Sequence, residues 1–394
     1  PMLNHRVRQS CINGGQVMAI NPVAYDFNYE LDVDIVCVPS AMSVELAGVA
    51  QALGADTLGV RVEPDQAHRV IAEALKGAAG QGAVLLGTAA IMHPDFSILR
   101  ALAAGISAAA GVRLGFVGSG SNDCGAWMAG AVPHRLAGGA TAETVGLDAR
   151  AMLEQPRDLY LTVGIEPEMD VADPALTAAA LESAKVVALS SYLTPWLEAH
   201  ADILLPTAGY AETSGTLVNV EGVAQSFQGV AAPAGEARPG WKVLRVLGNL
   251  VDLEGFEFVG SNEVRDEVLA ACADQRPDNA VGTLGRQTPQ TESAAWERIG
   301  GVPIYSVDAL SRRAHALQLT PDAWGASLRM NTGAAQELGV GDSASVRITQ
   351  GGGSAEFAVC VDDSVPDGCI WLPTAVPGSE ALGLGFGPVS VEKV

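Results

Sequence analysis

Short apolar runs that alternate with longer helical patterns constrain this chain more than any other feature. Up to about residue 255 the order strand, helix, strand recurs, and that order leads to βαβ units around parallel strands. Strands are expected over 16–20, 34–38, 83–86 and 113–117, with helices over 3–11, 43–53, 70–78 and 96–110. A second set follows: strands over 159–163, 185–189 and 203–205, helices over 174–184, 194–199 and 241–250. The doubling predicts two Rossmann-like lobes, over 1–155 and 156–255.

The texture then changes. Gly260-Ser261-Asn262, Pro277-Asp278-Asn279 and Thr288-Pro289-Gln290 punctuate a polar stretch. This reads as a linker over 256–300 with one helix at 263–272. From 301 to 394 short strands dominate (344–348, 356–361, 369–372 and 389–391), separated by turns such as Gly351-Gly352-Gly353. Short strands with little helix predict a small β-barrel domain.

Composition narrows the function. Hydrophobic residues make up 48% and aromatics only 5%, so Ala and Gly fill a core suited to close helix-on-sheet packing. The net charge of −22 repels nucleic acid and anionic membrane surfaces, whose affinity rests on Lys and Arg. No run approaches the roughly 20 apolar residues of a membrane span. The six cysteines are scattered without a disulfide pattern, which suits a reducing compartment. The chain begins at Pro1 and enters directly on a helical stretch, which points to a piece of a longer polypeptide.

Most catalytic motifs are absent. There is no CxxC and no tight Cys/His cluster, so neither zinc nor an iron–sulfur cluster is expected. Gly118-Ser119-Gly120 follows a strand, but Asp123 stands where G-x-G-x-x-G needs its third glycine, so a tight turn is the better reading. No G-x-S-x-G elbow is present. One segment is dense in polar groups: after Ile203-Leu204-Leu205-Pro206 come Glu212, Ser214, Gly215, Thr216, Asn219, Glu221, Gly222 and Gln225. Read as a loop at a strand's C-terminal end, it is open to two roles, a ligand loop or a structural cap. Gly215 is expected at a positive φ within it.

The stretch from Ala201 to Gln225 resembles the signature of molybdopterin oxidoreductases. It is most similar to the version in the large iron–sulfur subunit of respiratory NADH:quinone oxidoreductase, complex I. Gly14 to Pro22, Gly164-Ile165-Glu166-Pro167, Ala237 to Lys242 and Arg312-Arg313-Ala314 with Leu317 to Thr320 resemble further parts of that family. Asn331 to Ile348, with Leu338-Gly339-Val340-Gly341-Asp342, resembles its double-psi β-barrel.

The resemblance implies two Rossmann-like lobes with parallel sheets and a C-terminal double-psi-type barrel. It implies no catalytic residue and no metal ligand here, with iron–sulfur clusters held in a part N-terminal to this one. Positions near the family's dinucleotide are Gly164, Glu166, Ser190, Ser191 and Asp202, but Ala188 to Tyr192 lacks the polar pair usual in cofactor-binding members. No Lys or Arg follows the strand ends closely, so phosphates are poorly served. The implied function is a non-catalytic domain of the peripheral arm, on the cytoplasmic side of the inner membrane, docking other complex I subunits. The alternative is a molybdopterin-dependent oxidoreductase fragment that binds a pyranopterin dinucleotide. A weaker alternative is a free-standing small-molecule binding protein.

Overall fold

The computed structural model describes residues 2–118, 120–275, 279–282 and 294–394. Ser119 of the glycine turn, and Pro277, Asp278 and 288–290 of the linker signals, lie outside the described residues. The chain is a mixed α/β protein with parallel sheets and a seven-stranded, barrel-like sheet. It divides into two compact units, 1–117 with 279–306 and 314–394, and 118–278 with 307–313.

The first unit begins with helix α1 (Met2–Ile12), which has no buried residue. Strands β1 (Met18–Asn21) and β2 (Val33–Val36) pair in parallel, as do β3 (Ala83–Leu86) and β4 (Arg113–Phe116). Helices α2 (Met42–Leu53), α3 (Gln66–Gly77) and α4 (Phe96–Ala110) carry apolar faces, and Val49, Ile71, Leu75, Leu102 and Ile106 bury into one core. Asp65 starts α3 by accepting from the His68 backbone N–H at 3.0 Å, while His68 Nδ1 accepts from the Asp65 N–H at 3.1 Å. That reciprocal pair satisfies two donors at the helix start.

The second unit holds a three-stranded parallel sheet of β5 (Leu159–Val163), β6 (Lys185–Ser190) and β7 (Ile203–Pro206) in sequential order. Helix α5 (Pro174–Glu182) connects β5 to β6, and α6 (Pro195–His200) connects β6 to β7. Each has Pro at its first turn and a side-chain cap, from Asp173 and Thr194 respectively. An antiparallel hairpin of β8 (Gly215–Val218) and β9 (Ala224–Phe227) follows, then α7 (Gly240–Leu250), α8 (Ser261–Ala271) and the short α9 (Ala309–Arg313).

The remaining strands return to the first unit: β10 (Glu297–Ile299), β11 (Ser327–Met330), β12 (Ser345–Gln350), β13 (Gly353–Val361), β14 (Cys369–Trp371), β15 (Gly387–Pro388) and β16 (Ser390–Lys393). Their order is β15-β10-β14-β11-β13-β12-β16, with β10–β14 and β11–β13 parallel and the other pairs antiparallel. Side chains of β12 alternate strictly between exposed and buried, so Val346 and Ile348 enter a core with Leu328, Met330, Phe357 and Ile370. Helix α10 (Thr332–Leu338) follows β11, capped by Asn331. Strand β10 lies inside the stretch that reads as a linker, and all three of its residues are buried. Arg298 donates to the carbonyls of Leu372 and Pro373 at 2.8 and 2.9 Å and to Gln350 Oε1 at 3.0 Å. Burial pushes its pKa down to about 10. Glu297 accepts from the Ser40 N–H at 2.9 Å and from its hydroxyl at 2.6 Å.

His93 gives this unit a pH dependence. Its Nδ1 accepts from the Asp95 N–H at 3.0 Å and its Nε2 lies 3.0 Å from the Pro39 carbonyl, so the neutral Nε2–H tautomer fits both. Burial holds its pKa below the ordinary value. As pH falls below the unfolded value of about 6.5, the unfolded chain takes up a proton that the folded chain refuses, and stability drops. Urea unfolding between pH 7.5 and 5.5 should show that loss, and His93→Gln should flatten it; an equal slope in the variant would count against the assignment.

Candidate functional site

The C-terminal edge of the β5–β6–β7 sheet is where an α/β architecture places ligands. At Gly164 the chain leaves β5 with φ +66, a left-handed turn that glycine adopts without steric cost. The Gly164 N–H donates to the Leu189 carbonyl at 2.8 Å. Two residues on, Glu166 is only 4% exposed. Its carboxylate is held by α9: Arg312 donates to Oε2 through Nε at 3.1 Å and Nη2 at 2.9 Å. Arg313 Nη1 forms an ion pair with Oε1 at 2.7 Å. Arg312 Nη1 also pairs with Asp170 Oδ1 at 2.9 Å, and the Glu166 N–H donates to Asp170 Oδ2 at 2.7 Å. The Arg313 guanidinium lies 4.4 Å over the ring of Tyr192.

Ser190 and Ser191 share this edge. Ser190 Oγ donates to the Tyr192 carbonyl at 2.7 Å. Ser191 Oγ lies 3.2 Å from Thr207 Oγ1 and donates to the Ala208 carbonyl at 3.3 Å. Asp202 does not join them. It precedes β7, and because the strands run parallel it lies at the opposite edge, about 17 Å away along β6 at roughly 3.3 Å per residue. There it pairs with Lys185 at 2.7 Å and accepts from the Val186 N–H at 2.8 Å, and the Lys185 hydrogen bond holds its carboxyl below the usual range.

Basic groups do reach the ligand edge, which corrects the expectation from the strand-end sequences. They come from positions 146 residues distant from Glu166, beyond any local pattern. Asp170, Tyr192, Arg312 and Arg313 are the residues that local reasoning missed as a site, and the Arg312-Arg313-Ala314 run was the available signal. Their arrangement does not fit a pyranopterin dinucleotide. Two guanidinium groups face two carboxylates, and the hydroxyls are engaged with backbone carbonyls and Thr207. Among the described residues no group of three or more His, Cys, Asp and Glu side chains is placed to hold a metal ion.

The polar segment from Glu212 to Gln225 is a hairpin rather than a loop. Glu212 Oε2 accepts from the Gly209 N–H at 2.9 Å. Thr216 and Ser226 hydroxyls meet across the strands at 2.9 Å. Asn219 Oδ1 accepts from the N–H groups of Glu221 and Val223 at 3.0 and 2.9 Å, closing the turn. Glu221, Gly222 and Gln225 are exposed, so this is not a buried polar nest. Gly215 has no positive φ. It pairs with Phe227 across the ladder, and a Cβ there would stand 2.9 Å from Phe227 Cζ. The glycine serves the aromatic ring, not the turn.

The molybdopterin oxidoreductase family profile matches residues 44–250, more than half of the chain, and the chain belongs to that family. Within it, the G subunit of the NADH-quinone oxidoreductase from Mycobacterium bovis is 29% identical over 305 residues, covering 70% of this chain and 38% of the relative. The corresponding protein of Streptomyces coelicolor is 28% identical over 258 residues, covering 64% of this chain and 29% of the relative. The chain thus spans well under half the length of these curated relatives. A solved structure of acetylene hydratase from Pelobacter acetylenicus aligns over 66% of this chain and 48% of its own, with 15% identity and a TM-score of 0.43.

Two outcomes follow for this unit. Removing both cations strands the buried Glu166 carboxylate, so Arg312→Ala with Arg313→Ala should cost about 3–5 kcal/mol in denaturant unfolding. A cost below about 1 kcal/mol would be that of a surface pair. Gly215→Val should cost about 1 kcal/mol, because the half-buried Phe227 ring must shift. In a Phe227→Ala background the same change should be neutral or favourable, since valine suits a strand; an equal cost in both backgrounds would exonerate the ring.

Proposed function

We propose that this chain is a non-catalytic, structural region of an NADH:quinone oxidoreductase peripheral arm. Electrons pass from NADH towards quinone through iron–sulfur clusters outside this sequence, and this region holds no cofactor. Its partners are the neighbouring peripheral-arm subunits, and its place is the cytoplasmic side of the membrane. The finer architecture we assign is two Rossmann-like lobes over 1–155 and 156–255, a linker from 256 that ends before β10, and a double-psi-type barrel that begins with β10.

The observation that carries this reading is the neutralised cluster at the β5 and β6 ends. The arginines that could meet a phosphate already meet Glu166 and Asp170. A dinucleotide would have to displace a buried carboxylate and leave it uncompensated, which is costly. Membership of the family and the NADH-quinone oxidoreductase relatives supply the context. No helix among the described residues is long and apolar enough to cross a membrane.

In the isolated oxidoreductase complex containing this chain, molybdenum and acid-released pterin should stay at background. Arg312→Ala with Arg313→Ala should reduce the amount of assembled complex and leave turnover per assembled complex unchanged. Pterin near one equivalent per chain would favour the cofactor-binding alternative. Normal assembly with lowered turnover would contradict a structural role.

A further inference from the structure

Aromatic residues are scarce in this sequence, with six Trp, six Tyr and eight Phe. Five of them nevertheless form one continuous ladder within the first unit. Trp324 and Trp371 have ring centroids 4.6 Å apart. Trp371 meets Tyr25 edge-on at 5.9 Å, Tyr25 meets Phe27 at 6.3 Å, and Phe27 stacks on Tyr29 at 5.3 Å. Tyr25, Phe27 and Tyr29 alternate along one irregular segment, which continues the file from the Trp pair. Packing alone would account for paired rings at ordinary geometries. Here a quarter of a small aromatic complement stands in one file, and Tyr25 within it is 39% exposed.

The charges along the file have a direction. Arg329 lies 4.2 Å over the Trp324 ring and 5.3 Å from that of Trp371, and it is tied to Asp362 at 2.9 Å. A cation over an indole makes removal of an electron from that ring harder. At the other end Tyr29 lines an open pocket together with Cys11, Glu30 and Asp32, whose two carboxylates outnumber the one cation there, Arg8. Carboxylates there favour a positive charge, and a phenol beside water can release its proton.

We propose that Trp324, Trp371, Tyr25, Phe27 and Tyr29 form a hole-transfer chain that carries a one-electron oxidising equivalent from the barrel to the surface pocket at Tyr29. The oxidant is a small one-electron radical that takes an electron from Trp324 or Trp371, leaving an indole radical cation. An electron then moves from Tyr29 through Phe27 and Tyr25 to that indole, restoring it. Tyr29 loses its phenolic proton to water and is left as a neutral phenoxyl radical. A thiol returns one electron and one proton to the phenoxyl oxygen and becomes a thiyl radical; Cys11 lines the same pocket. Phe27 is a bridge only, since its ring is too hard to oxidise to hold the hole. The chain does not depend on the functional assignment above.

Pulse radiolysis of the full chain with azide radicals, which oxidise indole rings preferentially, tests this directly. The wild-type chain should show a fast, concentration-independent conversion of indolyl to phenoxyl absorption. Tyr25→Phe should slow that phase several-fold. The Tyr25→Phe/Tyr29→Phe double variant should abolish most of it, whereas Tyr160→Phe should leave it intact. Both are conservative changes, and far-UV circular dichroism checks that each variant is folded. A fast phase that persists unchanged in the Tyr25→Phe/Tyr29→Phe double variant, or that is lost equally in Tyr160→Phe, would overturn the proposal.

Discussion

A carboxylate that is nearly fully buried needs donors or cations beside it, and Glu166 has two arginines. That requirement fixes much of the second unit. It holds the turn after β5 and draws in α9 from far along the chain. Through Arg313 it places Tyr192 beneath a guanidinium at the end of β6. The desolvation cost of such a cluster means that it adds less net stability than its contacts suggest.

The same cluster explains why a ligand edge need not hold a ligand. Parallel strands gather backbone and side-chain donors at their C-terminal ends, and something anionic must answer them. Here the answer is covalent to the chain. Glu297 repeats the logic in the first unit, where its carboxylate accepts from Ser40 in the 3-10 turn Pro39–Ala41 that leads into α2. Both carboxylates are almost completely buried.

Much of the fold was legible where burial follows local pattern. The strands 83–86 and 159–163 and the helix 96–110 match their expected limits; the helix buries its apolar face, whereas Leu159, Leu161 and Val163 stay exposed and only the apolar run marked that strand. Strand β10 was illegible for the opposite reason. Its Glu297 and Arg298 look exposed in sequence but are buried, satisfied only by residues from distant segments. The hairpin of β8 and β9 was hidden by its polar content, since Thr216, Ser226 and Asn219 bond within the hairpin itself. Of the candidate ligand residues, Gly164, Glu166, Ser190 and Ser191 share one edge. Asp202 was misplaced because proximity to a strand does not say which end of the sheet it occupies.

In the second unit the chain's own side chains occupy the edge of the sheet where an α/β architecture places ligands. An experimental density map of the protein, sharp enough to resolve side chains at the β5 and β6 ends, decides whether they do. The Arg312 and Arg313 guanidinium groups should lie against Glu166 and Asp170, with no further density between them. Density for a dinucleotide, with either arginine turned onto its phosphates, would contradict it.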